Sequence, residues 1–179
     1  ILFIVFALGL CIAQAQDFKE TTKYIAKSEI GTKQKEYQPK KIQIITVDET
    51  SENVASVAIS NSYQYDAIRI SVLDSPQLRG IKEVLKVELE YNSYSIEIDT
   101  YYFLVTTKGA YIALPKVTKV YDDILQPIED YIFPTQTYGQ EETILRAEFN
   151  YTNEVKKVLQ RFVWNDDDFD SEEAVTAIR

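Results

Sequence analysis

The sequence predicts an α+β fold, with an antiparallel β-sheet of about six to eight strands and one or two helices packed on it. Short β-branched runs alternate with clusters of Asp, Glu, Ser and Asn from residue 42 onward, which is typical of strands joined by turns. Residues 78–115 have the pattern of consecutive hairpins. Residues 155–163 carry apolar side chains at helical spacing, which predicts a C-terminal helix after the last strand. An all-β sandwich is the alternative architecture.

Residues 1–15 have the features of a secretory signal peptide. An unbroken apolar run spans residues 1–12, and Ala13-Gln14-Ala15 supplies the small residues that signal peptidase requires. Cleavage after Ala15 removes Cys11, the one cysteine of the chain. The alternative is an uncleaved membrane anchor, although a bilayer span needs about 20 apolar residues. We therefore expect an exported bacterial protein, periplasmic or secreted, with no transmembrane span in its mature chain.

Charge divides the mature chain into a Lys-rich N-terminal arm, residues 16–41, and a single globular, strand-rich domain, residues 42–179. The arm has seven Lys against four acidic residues, a net charge of +3, and the domain has 12 basic and 24 acidic residues, a net charge of −12. Asp17 and Glu20 have the spacing of a capping box, which predicts a short helix ending near Ser28. The arm is expected to be solvated, or else to dock on the acidic domain or on an anionic surface.

The domain begins with three predicted strands, residues 42–47, 54–60 and 67–73. A hairpin with a two-residue turn at Asn92-Ser93 is expected to follow. In that register the apolar residues of both strands share one face and the charged residues share the other, which a wrong register would scramble. The predicted pairs are Tyr91 with Tyr94, Leu89 with Ile96, Val87 with Ile98, Leu85 with Thr100, Lys86 with Asp99, Glu88 with Glu97 and Glu90 with Ser95.

The second strand of this hairpin continues through residues 101–106, where both of its faces become apolar. It turns at Thr107-Lys108-Gly109 and returns over residues 110–114, giving a three-stranded antiparallel meander. Apolar side chains on both faces need cover on both sides, so this part of the meander is expected at the centre of the sheet.

The C-terminal third is predicted to mix a strand with helices. Residues 143–151 alternate as a strand, with Leu145, Ala147, Phe149 and Tyr151 on one face. Residues 155–163 then predict the amphipathic helix, capped by Thr152 or Asn153. Ser171 begins a second predicted helix, and residues 124–133 allow a short helix interrupted by Pro127.

The composition excludes several classes of function. The chain has no His, so a His-ligated metal site, a Ser-His-Asp triad and a Cys-His dyad are all excluded. Its 28 acidic residues exceed its 19 basic residues, which argues against a nucleic-acid partner because phosphate binding needs a field of Lys and Arg. No Gly-rich phosphate loop occurs, so nucleotide binding is not expected, and no cofactor is predicted.

Carboxylates are the acid–base groups that remain. Glu88, Glu97 and Asp99 share one face of the predicted hairpin, where closely spaced like charges raise one pKa as a general acid requires. Such a pair could serve a glycosidase, although an exposed sheet face is the simpler interpretation. Asp166, Asp168 and Asp170 have the first spacings of a calcium loop but lack its Gly and its distal Glu. They are therefore a weak calcium candidate, and an acidic linker is the alternative interpretation of the same residues.

Tyrosine is the most distinctive feature, with 13 Tyr and a single Trp. Tyrosines on a sheet stack on sugars or anchor a protein partner, and they also pack well in strands. The sequence therefore predicts a non-catalytic exported binding or interaction protein of the cell envelope, with a protein or glycan partner. A structural envelope protein and a carboxylate-dependent hydrolase are the alternatives. The predicted binding residues are Tyr91, Tyr94, Tyr101, Tyr111 and Trp164.

Overall fold

The computed structural model describes residues 16–28, 41–47, 53–58, 65–92, 94–121, 127–150, 152–165 and 168–177. Within these ranges the chain forms thirteen β-strands and no helix. The predicted α+β fold is therefore wrong, and the chain fits the alternative, an all-β sandwich. The strands are β1 (Lys19–Glu20), β2 (Tyr24–Ser28), β3 (Lys41–Thr46), β4 (Asn53–Ala58), β5 (Ala67–Asp74), β6 (Ile81–Asn92), β7 (Ile96–Thr106), β8 (Tyr111–Ala113), β9 (Val117–Val120), β10 (Ile128–Ile132), β11 (Thr143–Phe149), β12 (Val155–Asn165) and β13 (Asp168–Ala177).

These strands form three antiparallel sheets. The central sheet has the order β1-β5-β6-β7-β8, and β9 also pairs with β7. A three-stranded sheet has the order β2-β3-β4, and a four-stranded sheet has the order β10-β11-β12-β13. The meander of β6, β7 and β8 is confirmed, and β7 lies inside the central sheet as its two apolar faces predicted. The described residues include no helix long and apolar enough to cross a membrane.

The central sheet is covered on both faces, because its longest strands carry apolar side chains on both sides. Alternate side chains of a strand point to opposite faces. On one face, Leu85, Val87 and Leu89 share a core with Ile42, Ile44 and Val57 of the three-stranded sheet. On the other face, Val84, Tyr102 and Leu104 share a core with Tyr131, Ile144 and Phe162 of the four-stranded sheet. The result is a sandwich of three layers.

The predicted C-terminal helix over residues 155–163 is wrong, because this segment is strand β12. The pairing of β12 with β11 shifts register twice, between Arg146 and Ala147 and between Glu148 and Phe149. Each shift adds an extra residue to β12, a β-bulge. The bulges place Val155 and Val158 on the same face, in the core with Leu145 and Ala147. An apolar spacing of three residues, which favours a helix by periodicity, is here produced by a bulged strand.

The other predicted helices are also wrong where the structure describes them. In the arm, β1 pairs with β5 and β2 pairs with β3, so long-range pairing overrides the capping-box signal of Asp17 and Glu20. The segment that starts at Ser171 belongs to β13, which pairs with β12. Within residues 124–133, the part from Ile128 to Ile132 is strand β10, while residues 122–126 lie outside the described residues.

The predicted register of the β6–β7 hairpin is wrong by an odd number of residues. Asn92 pairs with Ile96, which leaves a three-residue loop, and Glu88 faces Thr100 instead of Glu97. An odd shift moves the side chains of one strand to the opposite faces. Asp99 thereby faces Leu89 and is fully buried. The apolar run at residues 101–105 fits either register, and the buried Asp99 breaks the separation of apolar and charged faces on which the prediction depended.

The central and four-stranded sheets are joined by polar bonds around Asp130 of β10. One oxygen of its carboxylate accepts a hydrogen bond from the Tyr102 hydroxyl of β7 at 2.5 Å and one from the backbone N–H of Tyr131 at 2.9 Å. The other oxygen accepts from the Lys119 ammonium of β9. Burial lowers the pKa of Lys119, but the charge of Asp130 and its hydrogen bond raise this pKa by more. The pKa of Lys119 therefore lies above its usual value. The three side chains therefore act as one charge-paired unit between two layers.

Lys119→Met is expected to destabilise the protein by about 3 kcal/mol, because it leaves the mostly buried Asp130 carboxylate without its counter-charge. Adding Asp130→Asn is expected to recover part of that loss, since an Asn oxygen still accepts from Tyr102 without a charge to neutralise. Urea unfolding of both variants measures the difference. The control is Lys82→Met, at an exposed position of β6, which should change the free energy of unfolding by less than about 0.5 kcal/mol. Equal losses in the single and double variants would contradict this account.

Candidate binding surface

One end of the central sheet exposes a group of large apolar side chains. Tyr94 lies in the loop between β6 and β7 and is fully exposed, while Ile96 of β7 and Tyr121 after β9 are 45% and 47% exposed. The backbone N–H of Tyr121 donates to the carbonyl of Ile96 at 2.8 Å, so these two residues are cross-strand neighbours. We call Tyr94, Ile96 and Tyr121 the hairpin-end surface.

The hairpin-end surface begins where the cover of the central sheet ends. Ile98 of β7 pairs with Lys119 of β9, and each is 9% exposed. Two residues further along the same face, the exposure of Ile96 and Tyr121 rises about fivefold. On this face Lys119 is bonded to Asp130 of β10. The two apolar side chains beyond it are about half exposed.

A network of polar bonds holds the base of the hairpin. The backbone N–H of Asn92 donates to Asp66 at 2.6 Å, and the Asn92 side chain donates to Glu90 at 3.1 Å. Arg69 of β5 donates to Glu90 at 2.7 Å. The bonds from Asn92 and Arg69 lower the pKa of Glu90. The network joins the end of β6 to β5 and to the residue before it, at the start of the loop that carries Tyr94.

The other predicted binding tyrosines are placed in the layers of the sandwich. Tyr91 is buried, and Tyr101 and Tyr111 are half-buried. Trp164 is buried in the core against the four-stranded sheet, and its indole N–H donates to the carbonyl of Arg79. Of the five predicted binding residues, Tyr94 has the exposure that a contact with a partner needs. Sequence reasoning missed Ile96 and Tyr121, because their exposure depends on where the cover of the sheet ends.

Tyr91 and Tyr101 lie near the buried Asp99 on the face toward the three-stranded sheet. One Asp99 oxygen accepts from Lys116 at 2.8 Å and from Thr118 at 2.6 Å. Burial and the charges of Asp99 and Glu97 raise the pKa of Tyr91 to about 12. Burial and the Asp99 charge also raise the pKa of Tyr101. Asp99 and Lys116 therefore form an ion pair within the packed structure, and the two tyrosines pack near it.

The structure does not bring the three candidate catalytic carboxylates together. Glu88 points to the face toward the four-stranded sheet and pairs with Lys86 at 2.8 Å. Glu97 and Asp99 alternate with it across the sheet and point to the opposite face. The sheet itself therefore separates Glu88 from the other two carboxylates, which removes the geometry on which an acid–base pair with Glu88 depended.

The side chains of the weak calcium candidate lie outside those that the structure describes. Asp166 is not among the described residues, and Asp168 and Asp170 lie in β13, of which only the backbone is described. Among the residues whose side chains are described, no three His, Cys, Asp or Glu groups are placed to hold a metal ion.

Comparisons of the chain with protein-family models, with curated proteins and with solved structures find no match.

Tyr91→Phe is expected to make the protein less sensitive to alkaline pH. The pKa of Tyr91 is about 12 in the folded state and about 10 in an unfolded chain. A raised folded-state pKa gives stability that is present below pH 10 and is lost as pH rises from 10 to 12. Without the hydroxyl, this loss should shrink by on the order of 2 kcal/mol. Unfolding in urea at pH 8, 10 and 11.5 measures it.

At pH 8 the same variant should be as stable as the wild type or slightly more stable. The buried Tyr91 hydroxyl has no hydrogen-bond partner, so its removal takes away an uncompensated desolvation cost. A loss of more than about 1 kcal/mol at pH 8 would show that the hydroxyl makes a stabilising bond.

Proposed function

We propose that the protein is an exported, non-catalytic binding protein of a bacterial cell envelope, and that the hairpin-end surface contacts its partner. The apolar run and the Ala13-Gln14-Ala15 site at the N-terminus support export. The exposure of Tyr94, Ile96 and Tyr121 supports binding.

The observation that carries the proposal is the clustering of these three side chains at one end of one sheet. Single exposed apolar residues are common on soluble proteins and need no explanation. Here Ile96 and Tyr121 are direct cross-strand neighbours, and the fully exposed Tyr94 lies two residues before Ile96. Tyrosine gives a large contact area at a low entropy cost, and it is enriched where protein interfaces gain most of their affinity.

The placement of the buried carboxylates supports a non-catalytic function. Glu83, Asp99 and Asp130 are all largely buried. Each accepts a hydrogen bond from one lysine and one hydroxyl group, and the donors are Lys23 and Tyr24 for Glu83, Lys116 and Thr118 for Asp99, and Lys119 and Tyr102 for Asp130. These carboxylates are therefore bonded within the packing of the protein.

The contacts of the N-terminal arm affect how the alternative function, a structural envelope protein, can be tested. Lys23 pairs with Glu83 at 2.8 Å and with Asp74 at 3.4 Å. Tyr24 is buried in the core between the central and three-stranded sheets. Deleting the arm would therefore damage the fold as well as any envelope contact, and a test of function is better made with substitutions at the hairpin-end surface.

Export predicts a mature N-terminus at Gln16. The protein recovered from the periplasm or the medium of its host should begin at Gln16 when its N-terminal peptide is sequenced by mass spectrometry. Recovery of a chain that retains residues 1–12, in the membrane fraction, would contradict cleavage and favour the anchor.

A photocrosslinking amino acid placed at position 94 or 121 is expected to yield one discrete crosslinked product in the intact host envelope. The matched control is position 138, because Tyr138 is 48% exposed but lies between β10 and β11, away from the hairpin. Products at 94 and 121 that are absent at 138 would support the proposed surface. Identical patterns at all three positions, or none at 94 and 121, would overturn it.

A further inference from the structure

The turn between β11 and β12 carries a sequence motif that the proposed binding function does not use. Asn150, Tyr151 and Thr152 have the order Asn-x-Thr, with a residue other than Pro in the middle. This order is the acceptor motif for attachment of a glycan to an Asn side chain in exported proteins. Of the six Asn residues in the chain, Asn150 is the one with a Ser or Thr two positions later.

We infer that Asn150 is a modification site, and that its side-chain amide carries an N-linked oligosaccharide. This inference rests on the export that the proposed function includes, because the attachment takes place outside the cytoplasm. It is independent of the hairpin-end surface.

An acidic residue precedes the motif at a position that matters for a bacterial host. The bacterial enzymes that attach glycans to Asn select acceptors with Asp or Glu two positions before it, and Glu148 occupies that position. Glu148 lies on β11, opposite Lys157 of β12. Residues 148–152 therefore contain the longer form of the motif.

The motif lies at an exposed turn. Thr152, Asn153 and Glu154 are exposed, and Asn150 is half-buried directly after the end of β11. The backbone N–H of Asn150 donates to the carbonyl of Glu154 at 3.0 Å, which closes the turn. Loops on the surface are open to modifying enzymes, and an exposed turn opens locally at a lower cost than a core strand. An enzyme can therefore reach Asn150 without unfolding the sandwich.

The side chain of Asn150 can take a glycan and still hold the turn. Its Oδ1 accepts hydrogen bonds from the backbone N–H of Thr152 at 3.0 Å, from the backbone N–H of Glu154 at 2.8 Å and from the Thr152 hydroxyl at 2.7 Å. The glycan is attached to the other end of the amide, at Nδ2, which carries two hydrogens. Nδ2 donates to the exposed Glu154 carboxylate at 3.0 Å. Attachment replaces one of its hydrogens and leaves the three bonds to Oδ1 in place.

The reaction is the transfer of an oligosaccharide from a lipid diphosphate carrier, catalysed by an enzyme of the host. A bond forms between Nδ2 of Asn150 and C1 of the first sugar. The bond between that C1 and the phosphate oxygen of the carrier breaks, and the lipid diphosphate leaves. Nδ2 loses one proton, and neither an oxidant nor a reductant takes part.

Mass spectrometry of the mature protein purified from its host tests this inference. Trypsin cleaves after Arg146 and Lys156 and releases residues 147–156, which contain the whole motif. We expect this peptide to be heavier than its sequence by a whole number of sugar residues. Fragmentation that keeps the glycan on the peptide should place the added mass on Asn150.

Three variants, expressed in the same host, test whether the motif directs the attachment. Thr152→Ala keeps Asn150 but destroys the motif, so the added mass should be lost. Thr152→Ser is the matched control, because it keeps a hydroxyl at this position and should keep the glycan. Glu148→Gln should lower the glycosylated fraction, since it removes the acidic residue. Thermal melts of the variants confirm that the fold is kept.

An exported chain whose peptide 147–156 has only the mass of its sequence would overturn the inference and leave export standing. An added mass that persists in Thr152→Ala would also overturn it, because the attachment would then not depend on the motif. The N-terminus of the same sample reports on export itself. A chain that retains residues 1–12 and has an unmodified Asn150 would contradict both the cleavage and the inference.

Discussion

The bonds that converge on Asp130 determine how two layers of this sandwich meet. Tyr102 reaches Asp130 from the middle of the central sheet and Lys119 reaches it from the edge strand β9. Tyr102 also packs edge-on against Tyr131, with ring centroids 5.3 Å apart. The carboxylate therefore lies at the border between an aromatic core and a charged rim. One pair beyond Lys119 and Ile98 on the same face, the exposure of Tyr121 and Ile96 is about five times higher.

Much of the strand content could be predicted from the sequence, and the errors have physical causes. The strands beginning near residues 42, 54, 67 and 143 follow from alternation and β-branched composition, since these patterns are local. The helix predicted over residues 155–163 failed because two bulges in β12 imitate helical spacing. The hairpin register failed because Asp99 is buried, and its burial depends on Thr118 of β9 and on Lys116, the residue before β9. Periodicity contains no information about such distant partners.

The candidate surface was predictable only in part, for a related reason. Tyr94 belongs to a short polar loop of the sequence, and a loop tip is exposed almost wherever the hairpin is placed. Ile96 begins β7 and Tyr121 follows β9, two strands in which other residues are buried, and the pattern of residues along a strand does not show where exposure rises. Tyr91 and Trp164 show the converse, because the same residue types become packing groups where a second layer lies over them.

The three buried carboxylates connect the packing of the protein to the chemistry of its surface. Each buried carboxylate has its own lysine, so each pair contributes no net charge. Asp99 and Asp130 therefore add nothing to the acidic excess of residues 42–179, whereas Lys23, the partner of Glu83, lies in the N-terminal arm. Burial with a lysine removes a carboxylate from contact with any partner, whereas Asp66 and Glu90 accept hydrogen bonds from Asn92 at the base of the loop between β6 and β7. The carboxylates of this sandwich therefore have two structural effects, since some join its layers and others hold the strand that leads into the exposed loop.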